Sequence, residues 1–328
     1  MLVAIDIGGT KITVATAAVT SAGDMQLGEV TRHSSTDHPD LADLLRARLG
    51  TATPNAIAIG VAGPVLGRVV RLTNLSWSID ADYLERVLHC PVVLMNDLEA
   101  HGWAVAHARP RDLVTLQKGR PRPGNRALIA AGTGLGEATL FWQSGSYVPS
   151  ASEGGHTSFS PTSPEQVELL SFLLGRYEHV SWERVVSGID GFRNLVDFLK
   201  ASGRITLPPD LAPDIVKSRD VGPLVTEAAS AGAAWGQMVL RWFVRLYGAE
   251  AGNLALKSMA VGGIYVAGGI APKILPWLEQ GDFVSAFNQK GRFADFLREI
   301  PVHVVTDEHA ALRGAAYVAQ RVAVGSWQ

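Results

Sequence analysis

The sequence predicts an α/β protein made of two related lobes. Short apolar strand signals alternate with helical stretches, the pattern of a layered α/β fold. A strand that runs into a Gly/Thr turn and out into a second strand occurs twice, once in each half. The length of 328 residues favours two cores over one. The first copy of the turn is in LVAIDIGGTK (2–11), where the apolar run meets Asp6 and then Gly8, Gly9 and Thr10. The second is in ALIAAGTGLG (127–136), with Gly132, Thr133 and Gly134 after the apolar run. Glycine lets the backbone come close to an anion, and turn N–H and hydroxyl groups donate to it. Two such turns suggest a phosphate tail held between two lobes.

In chain order, strand signals fall at 2–6, 12–17, 56–61, 68–72 and 92–95, with helical stretches at 41–49 and 81–88. Ser78 or Asp80 suits the N-cap of the second helix. A further helix is expected over 99–108. Strands follow at 113–116, 127–131, 138–142 and 147–150, and the stretch 164–257 is mainly helical. A strand at 263–267 runs into Gly268 and Gly269, a last strand lies at 302–305, and 309–324 reads as an Ala-rich helix suited to tight packing.

Composition narrows the function classes. With 47% apolar and 18% charged residues the chain has material for a large core, and a net charge of −2 gives no reason to expect nucleic acid or an anionic membrane as partner. No apolar run reaches the ~20 residues that span a bilayer, and the N-terminal apolar stretch stops at Asp6 with no basic segment before it. Cys90 is the only cysteine, which excludes an intramolecular disulfide and a cysteine-rich metal site. A cytoplasmic location is expected.

The candidate chemistry lies around the two turns. Neither a P-loop nor a G-x-G-x-x-G helix start is present. Gly8 and Gly9 alone would also suit a plain hairpin; their pairing with Gly132–Gly134 and with Gly268-Gly269 favours a ligand. Asp6, at a strand's carboxyl end, would orient a magnesium-bound water. Lys11 reads equally well as a phosphate contact or as a solvated lysine on an edge strand. Asn96-Asp97 ends the apolar strand VVLMND, where α/β folds place ligands. There Asp97 is either a general base for a hydroxyl or a helix N-cap. Glu153 and His156, separated by two glycines, can turn to one hydroxylated ligand or form a surface turn, and no third ligand nearby makes them a zinc site. Glu183 is expected in a helix start after Ser181; a capping box needs the acid at 184, which is Arg184, so that motif does not explain it and a solvated helix-face Glu is the other reading.

Together these stretches resemble the sugar-kinase branch of the actin/hexokinase/heat-shock ATPase superfamily, and within it the bacterial glucokinase family of proteobacterial type. The matching segments are AIDIGGTK, RLTNLSW (71–77), VVLMNDLEA, AAGTGLG, SEGGH, ERVVSG, GNLAL, IYVAGGI, GRF and IPV, spread over nearly the whole chain. The resemblance implies a two-lobed actin-like ATPase (ribonuclease H-like) fold with duplicated βββαβαβα cores and a central cleft. The small lobe would be 1–98 plus 308–328 and the large lobe 99–307. It implies phosphorylation of D-glucose at the 6-hydroxyl by ATP with Mg2+, in a protein that is often a homodimer. Asp97 would be the base, and Asn96, Asp97, Glu153, His156, Glu183 and Asn74 would bind the sugar. Asp6, Gly8, Gly9, Thr10, Lys11, Gly132, Thr133 and Gly134 would hold ATP phosphates, with Asp6 reaching magnesium through water, and Gly268-Gly269 would lie against the adenosine. Lys11 departs from that family towards the neighbouring ROK sugar kinases, but one cysteine excludes the ROK zinc motif, and no helix-turn-helix segment precedes the first strand. Glu137 stands where a small or apolar residue is expected. Kinases of another hexose or N-acetylated sugar, and a non-catalytic sugar sensor, remain alternatives.

Overall fold

The structure, a computed structural model, describes residues 1–328 except 9–10, 22, 35–39, 64, 72–77, 210, 212–214, 216, 219 and 328. Gly9, Thr10 and Asn74 therefore lie outside the described residues. By internal packing the chain divides into two units, one of residues 1–108, 143–151 and 307–328 and the other of 109–142 and 152–306. The 98/99 boundary expected above falls inside a helix of the first unit.

The first unit holds a five-stranded sheet. Its strands are β1 (Leu2–Ile7), β2 (Lys11–Val19), β3 (Met25–Ser34), β4 (Ala56–Val61) and β7 (Val92–Asn96), in the order β3-β2-β1-β4-β7. A small antiparallel pair, β5 (Val69–Arg71) and β6 (Ser78–Asp80), sits outside it. β1, β4 and β7 run parallel, whereas β2 and β3 are antiparallel neighbours. Lys11 thus opens a strand paired on both sides rather than an edge strand.

Strand alternation sends Val3, Ile5 and Ile7 to a face covered by α1 (Leu41–Leu49) and α2 (Ala81–Leu88). Both helices begin at an aspartate whose side chain accepts a backbone N–H, Asp40 from Asp43 and Asp80 from Tyr83. Leu2 and Ala4 point the other way, into a cluster with Ala100 and Trp103 of α3 (Asp97–Ala106) and Ala315 and Ala319 of the C-terminal helix, Ala310–Ala323. Asp6 continues that second face and so comes to the start of α3.

The second unit repeats the plan. β9 (Arg126–Ala131) pairs antiparallel with β10 (Leu135–Gln143) and parallel with β12 (Gly263–Ala267), which pairs parallel with β13 (Val302–Val305). The order β10-β9-β12-β13 matches β2-β1-β4-β7, and β8 (Leu113–Gln117) adds an antiparallel strand at the edge. β11 (Ser146–Ser152) follows β10 in the chain, and its residues to 151 fall in the first unit. Helices α4 (Pro164–Leu174), α5 (Asp190–Ala201), α6 (Gly222–Ser230) and the long α7 (Ala234–Ser258) cover this sheet, followed by α8 (Leu275–Leu278), α9 (Asp282–Asn288), α10 (Ala294–Arg298) and α11, the C-terminal helix. Trp235, Leu240, Phe243 and Tyr247 of α7 are buried in the unit's core.

Two elements differ from the sequence expectation at functional positions. α3 starts at Asp97 rather than 99, because Asn96 and Glu99 supply a start signal of their own. Glu183 lies in a single 3-10 turn, Trp182–Arg184, not at the head of an α-helix.

Candidate active site

At the carboxyl edge of the first sheet, Asn96 is the N-cap of α3. Its Oδ1 accepts the Leu98 N–H at 2.8 Å and its Nδ2 donates to the Gly63 carbonyl at 2.9 Å. Glu99 accepts from the Asn96 backbone, closing a reciprocal cap. Asp97 is therefore not the cap; it is the first helical residue, and one of its oxygens accepts the Leu98 N–H at 2.9 Å. Register places Asp6 opposite Gly60, which in turn pairs with Met95. Gly60 packs against the first turn of α3, where an added Cβ would sit in ordinary contact with Ala100 and the Asp97 Cα.

Burial raises the pKa of Asp97, the neighbouring Asp6 raises it further, and His101 opposes both. Burial likewise raises Asp6, again opposed by His101. His101 lies one helical turn after Asp97, and its Nδ1 donates to the Asp97 carbonyl at 3.0 Å. The sequence reading missed His101; its i, i+4 spacing from Asp97 was the available signal.

In the second unit, Glu183 joins two features that the sequence reading treated separately. Its Oε2 accepts the Leu135 N–H at 2.9 Å, beside the Gly132–Gly134 turn, and its Oε1 lies 4.0 Å from His156 Nδ1. A side chain at Gly134 would overlap the Glu183 carboxylate, so this glycine makes room for a protein group. His156 Nε2 in turn lies 3.7 Å from Glu153 Oε2, and both side chains are more than half exposed. Glu153 itself precedes the 3-10 turn Gly154–His156.

The glycines divide by what surrounds them. Gly8, Gly132 and Gly269 have left-handed torsions in no case, and an added Cβ would meet nothing closer than 3.8 Å. Neither packing nor backbone geometry requires glycine there, and each leaves its main chain open to close approach. Gly8 and Gly132 each donate their N–H back across their own hairpin, to Lys11 and Gly134 carbonyls at 2.9 Å, and Thr133 stands exposed at its turn. Gly268 is different: its φ of +83° and the Ala131 backbone packed against it make it structural.

Tyr247 of α7, fully buried, ties together the ends of β9 and β12 that lead into the Gly132 and Gly268 turns. Its hydroxyl accepts the Ala131 N–H at 3.0 Å and lies 3.2 Å from the carbonyls of Ile129 and Ala267. Nothing in an apolar helix pattern distinguishes it from a core aromatic. Tyr247→Phe leaves the buried Ala131 N–H unpaired, and denaturant unfolding is expected to show a loss of about 1–3 kcal/mol; an unchanged midpoint and slope would remove this role.

The duplicated sheet is that of an α/β protein of the actin-like ATPase fold, shared with glucokinases and ROK-family sugar kinases. A ROK-family glucokinase from Streptomyces griseus, solved in complex with glucose and AMPPNP, shares this fold at a TM-score of 0.63, 22% identity and coverage of 98% of this chain and 99% of that one. A glucokinase from an Antarctic psychrotroph is closer, with a TM-score of 0.86, 29% identity and 98% of each chain covered. In sequence, a glucokinase from a Nostoc species is 38% identical over 98% of this chain and 99% of its own length. The glucokinase family profile matches residues 2–322. The chain belongs to the glucokinase family.

Proposed function

We propose that this protein transfers the γ-phosphoryl group of ATP to the 6-hydroxyl of D-glucose. The observation that carries this reading is Glu183, whose one carboxylate touches the Gly132–Gly134 turn and the exposed Glu153–His156 pair. A phosphate-type turn and a set of hydroxyl-binding groups thus belong to one site.

In this mechanism Glu153, His156 and Glu183 hold sugar hydroxyls, with Asn96 shaping the acceptor's surroundings. Because Asn96 caps α3 and binds Gly63, its part is to fix Asp97. Asp97 accepts the proton of the attacking hydroxyl. Gly8 and Gly132 admit phosphate oxygens close to the main chain, Lys11 contributes positive charge, and Gly269 leaves space for the nucleoside. Phosphoryl transfer asks mainly for positioning and charge stabilisation, which these groups supply.

Magnesium fits Asp6. The raised pKa values of Asp6 and Asp97 mark two carboxylates in an environment that a cation relieves, and magnesium takes few carboxylates while keeping waters and substrate phosphates. Among the described residues no cluster of three or more His, Cys, Asp or Glu side chains forms a dedicated metal cage. When bound, the ion neutralises charge on the transferring phosphate. Among the described residues no helix is long and apolar enough to cross a membrane, and we assign a cytoplasmic homodimer on the family resemblance.

A coupled assay of ADP release over a sugar panel tests this reading. Glucose is expected to give the highest kcat/KM; a higher value for mannose, fructose, glucosamine or an N-acetylated sugar would reassign the substrate. Glucose binding without ADP release would make the protein a sensor. Glu153→Gln is expected to raise the glucose KM about tenfold or more, the worth of one charged hydrogen bond, with a smaller effect on the ATP KM. An unchanged glucose KM would remove Glu153 from the sugar site.

A further inference from the structure

Glu137 is the buried acid that the proposed mechanism does not use. It sits in β10 with a side chain 1% exposed, and among the described residues its Oε1 has no hydrogen-bond partner. Two links tie it to the turn that carries Glu153 and His156. A side chain at Gly154 would overlap Glu137 Oε2, so the carboxyl lies directly against that turn. Ser152 Oγ donates to the Glu137 carbonyl at 3.2 Å and accepts the Gly154 N–H at 3.3 Å.

Behind Glu137 stands a chain of charged groups from α7 and the segment after α9. The neighbouring Glu250 is fully buried; Lys257 Nζ reaches its Oε1 at 2.9 Å and Asn253 Nδ2 its Oε2 at 2.7 Å. Lys290 Nζ donates to Asn253 Oδ1 at 2.6 Å and to the Ala249 carbonyl at 2.8 Å. Tyr247, also on α7, feels Glu137 electrostatically. Glu250 therefore has its positive partner and its amide, whereas Glu137 has neither and shares only a hydrogen bond with the Glu250 carboxylate, which needs a proton on one of the two. A buried carboxylate with no cation of its own beside a second carboxylate is costly, and the proton-bearing acid is the stable form.

We propose that Glu137 is a positioning residue for the Glu153–His156 turn, and that acquiring a negative charge there loosens the turn and weakens sugar binding. This rests on the proposed reading of Glu153 and His156 as sugar ligands. The pKa agrees with the geometry: burial, then the charge of Glu250, pushes Glu137 up to about 8, with Lys257 opposing. If only the acid form supports tight binding, the glucose KM rises about tenfold between pH 7 and pH 9.

The test is steady-state kinetics of the full-length enzyme with glucose and ATP from pH 6.5 to 9.5. The wild type is expected to show that rise in glucose KM with a flat ATP KM. Glu137→Gln keeps the shape and cannot ionise; its glucose KM is expected to stay within twofold across the range. Lys290, whose pKa burial lowers to about 8, titrates in the same window. A flat wild-type profile overturns the proposal, as does a Glu137→Gln profile that superimposes on the wild type or a rise abolished only by Lys290→Met. Gly154→Ala provides an arm that needs no change at Glu137. Its methyl must displace Oε2, so glucose KM at pH 7 is expected to rise at least fivefold; no rise overturns the contact. Should Glu153→Gln leave glucose KM unchanged, the sugar-site reading itself fails. Should Glu153→Gln act while the Glu137 arms do not, only the positioning role fails.

Discussion

Asp97→Asn is expected to lower kcat by about 10²–10⁴-fold, the usual contribution of a general base, while glucose still binds. The asparagine can keep the hydrogen bond from the Leu98 N–H, so α3 and its cap remain intact. What is lost is the ability to take the hydroxyl proton. Titration calorimetry with glucose and a stopped ADP-release assay separate the two outcomes. A kcat within about tenfold of wild type, ~1.4 kcal/mol of barrier, would remove Asp97 as base. The sign of the pH dependence follows from the same site. Burial and Asp6 raise the Asp97 pKa, so the base is lost by protonation at a higher pH than for an ordinary aspartate. The acid limb of kcat is accordingly expected above the usual aspartate range, and Asp97→Asn should abolish it. Retention of that limb in the variant would assign it to another group.

Gly314→Leu carries the largest expected stability effect. Gly314 lies in α11 against α3, and a Cβ there would overlap the Ala100 carbonyl oxygen and lie 2.7 Å from its carbon. A flexible side chain can turn away from such a clash, but a helix backbone cannot. Leucine favours helix more than glycine does, so local propensity works against any loss. The expected net cost is about 3 kcal/mol, the upper end for overpacking a tight contact. Because α3 carries Asp97 at its first turn, the displacement should also lower kcat, and misplacement by about 1 Å can cost about 10²-fold. Urea unfolding with the midpoint and slope compared to wild type reads the first effect. A change below about 0.5 kcal/mol would mean that the two helices are not held at this separation.

The sequence made the architecture legible wherever an element buries a continuous apolar run or stripe. β4, α1, α2, β12 and β13 fall where the apolar runs place them, because each buries a full face or stripe. β3 was missed because it lies at the sheet's edge and buries only Met25 fully, so no alternation marks it. The start of α3 was placed two residues late because Asn96, Asp97 and Glu99 each suit a helix start, and only the hydrogen bonds show which residue caps.

At the site, the residue types were readable but their connections were not. Gly134 looked like a phosphate glycine, whereas its missing side chain accommodates Glu183, 49 residues later in the chain. Glu137 looked out of place because the charges that act on it, Glu250 and the Lys257 paired to Glu250, are on α7 and share no local pattern with it. Long-range polar pairs of this kind leave no periodic trace, which is why Tyr247 was equally invisible.

The most direct test of the account is the 31P NMR spectrum of the product formed from glucose and ATP by the wild-type enzyme. Phosphorylation at the 6-hydroxyl predicts a phosphomonoester resonance split into a triplet by the two C6 protons. A doublet from the single anomeric proton, or inorganic phosphate alone beside ADP, would contradict the proposed reaction.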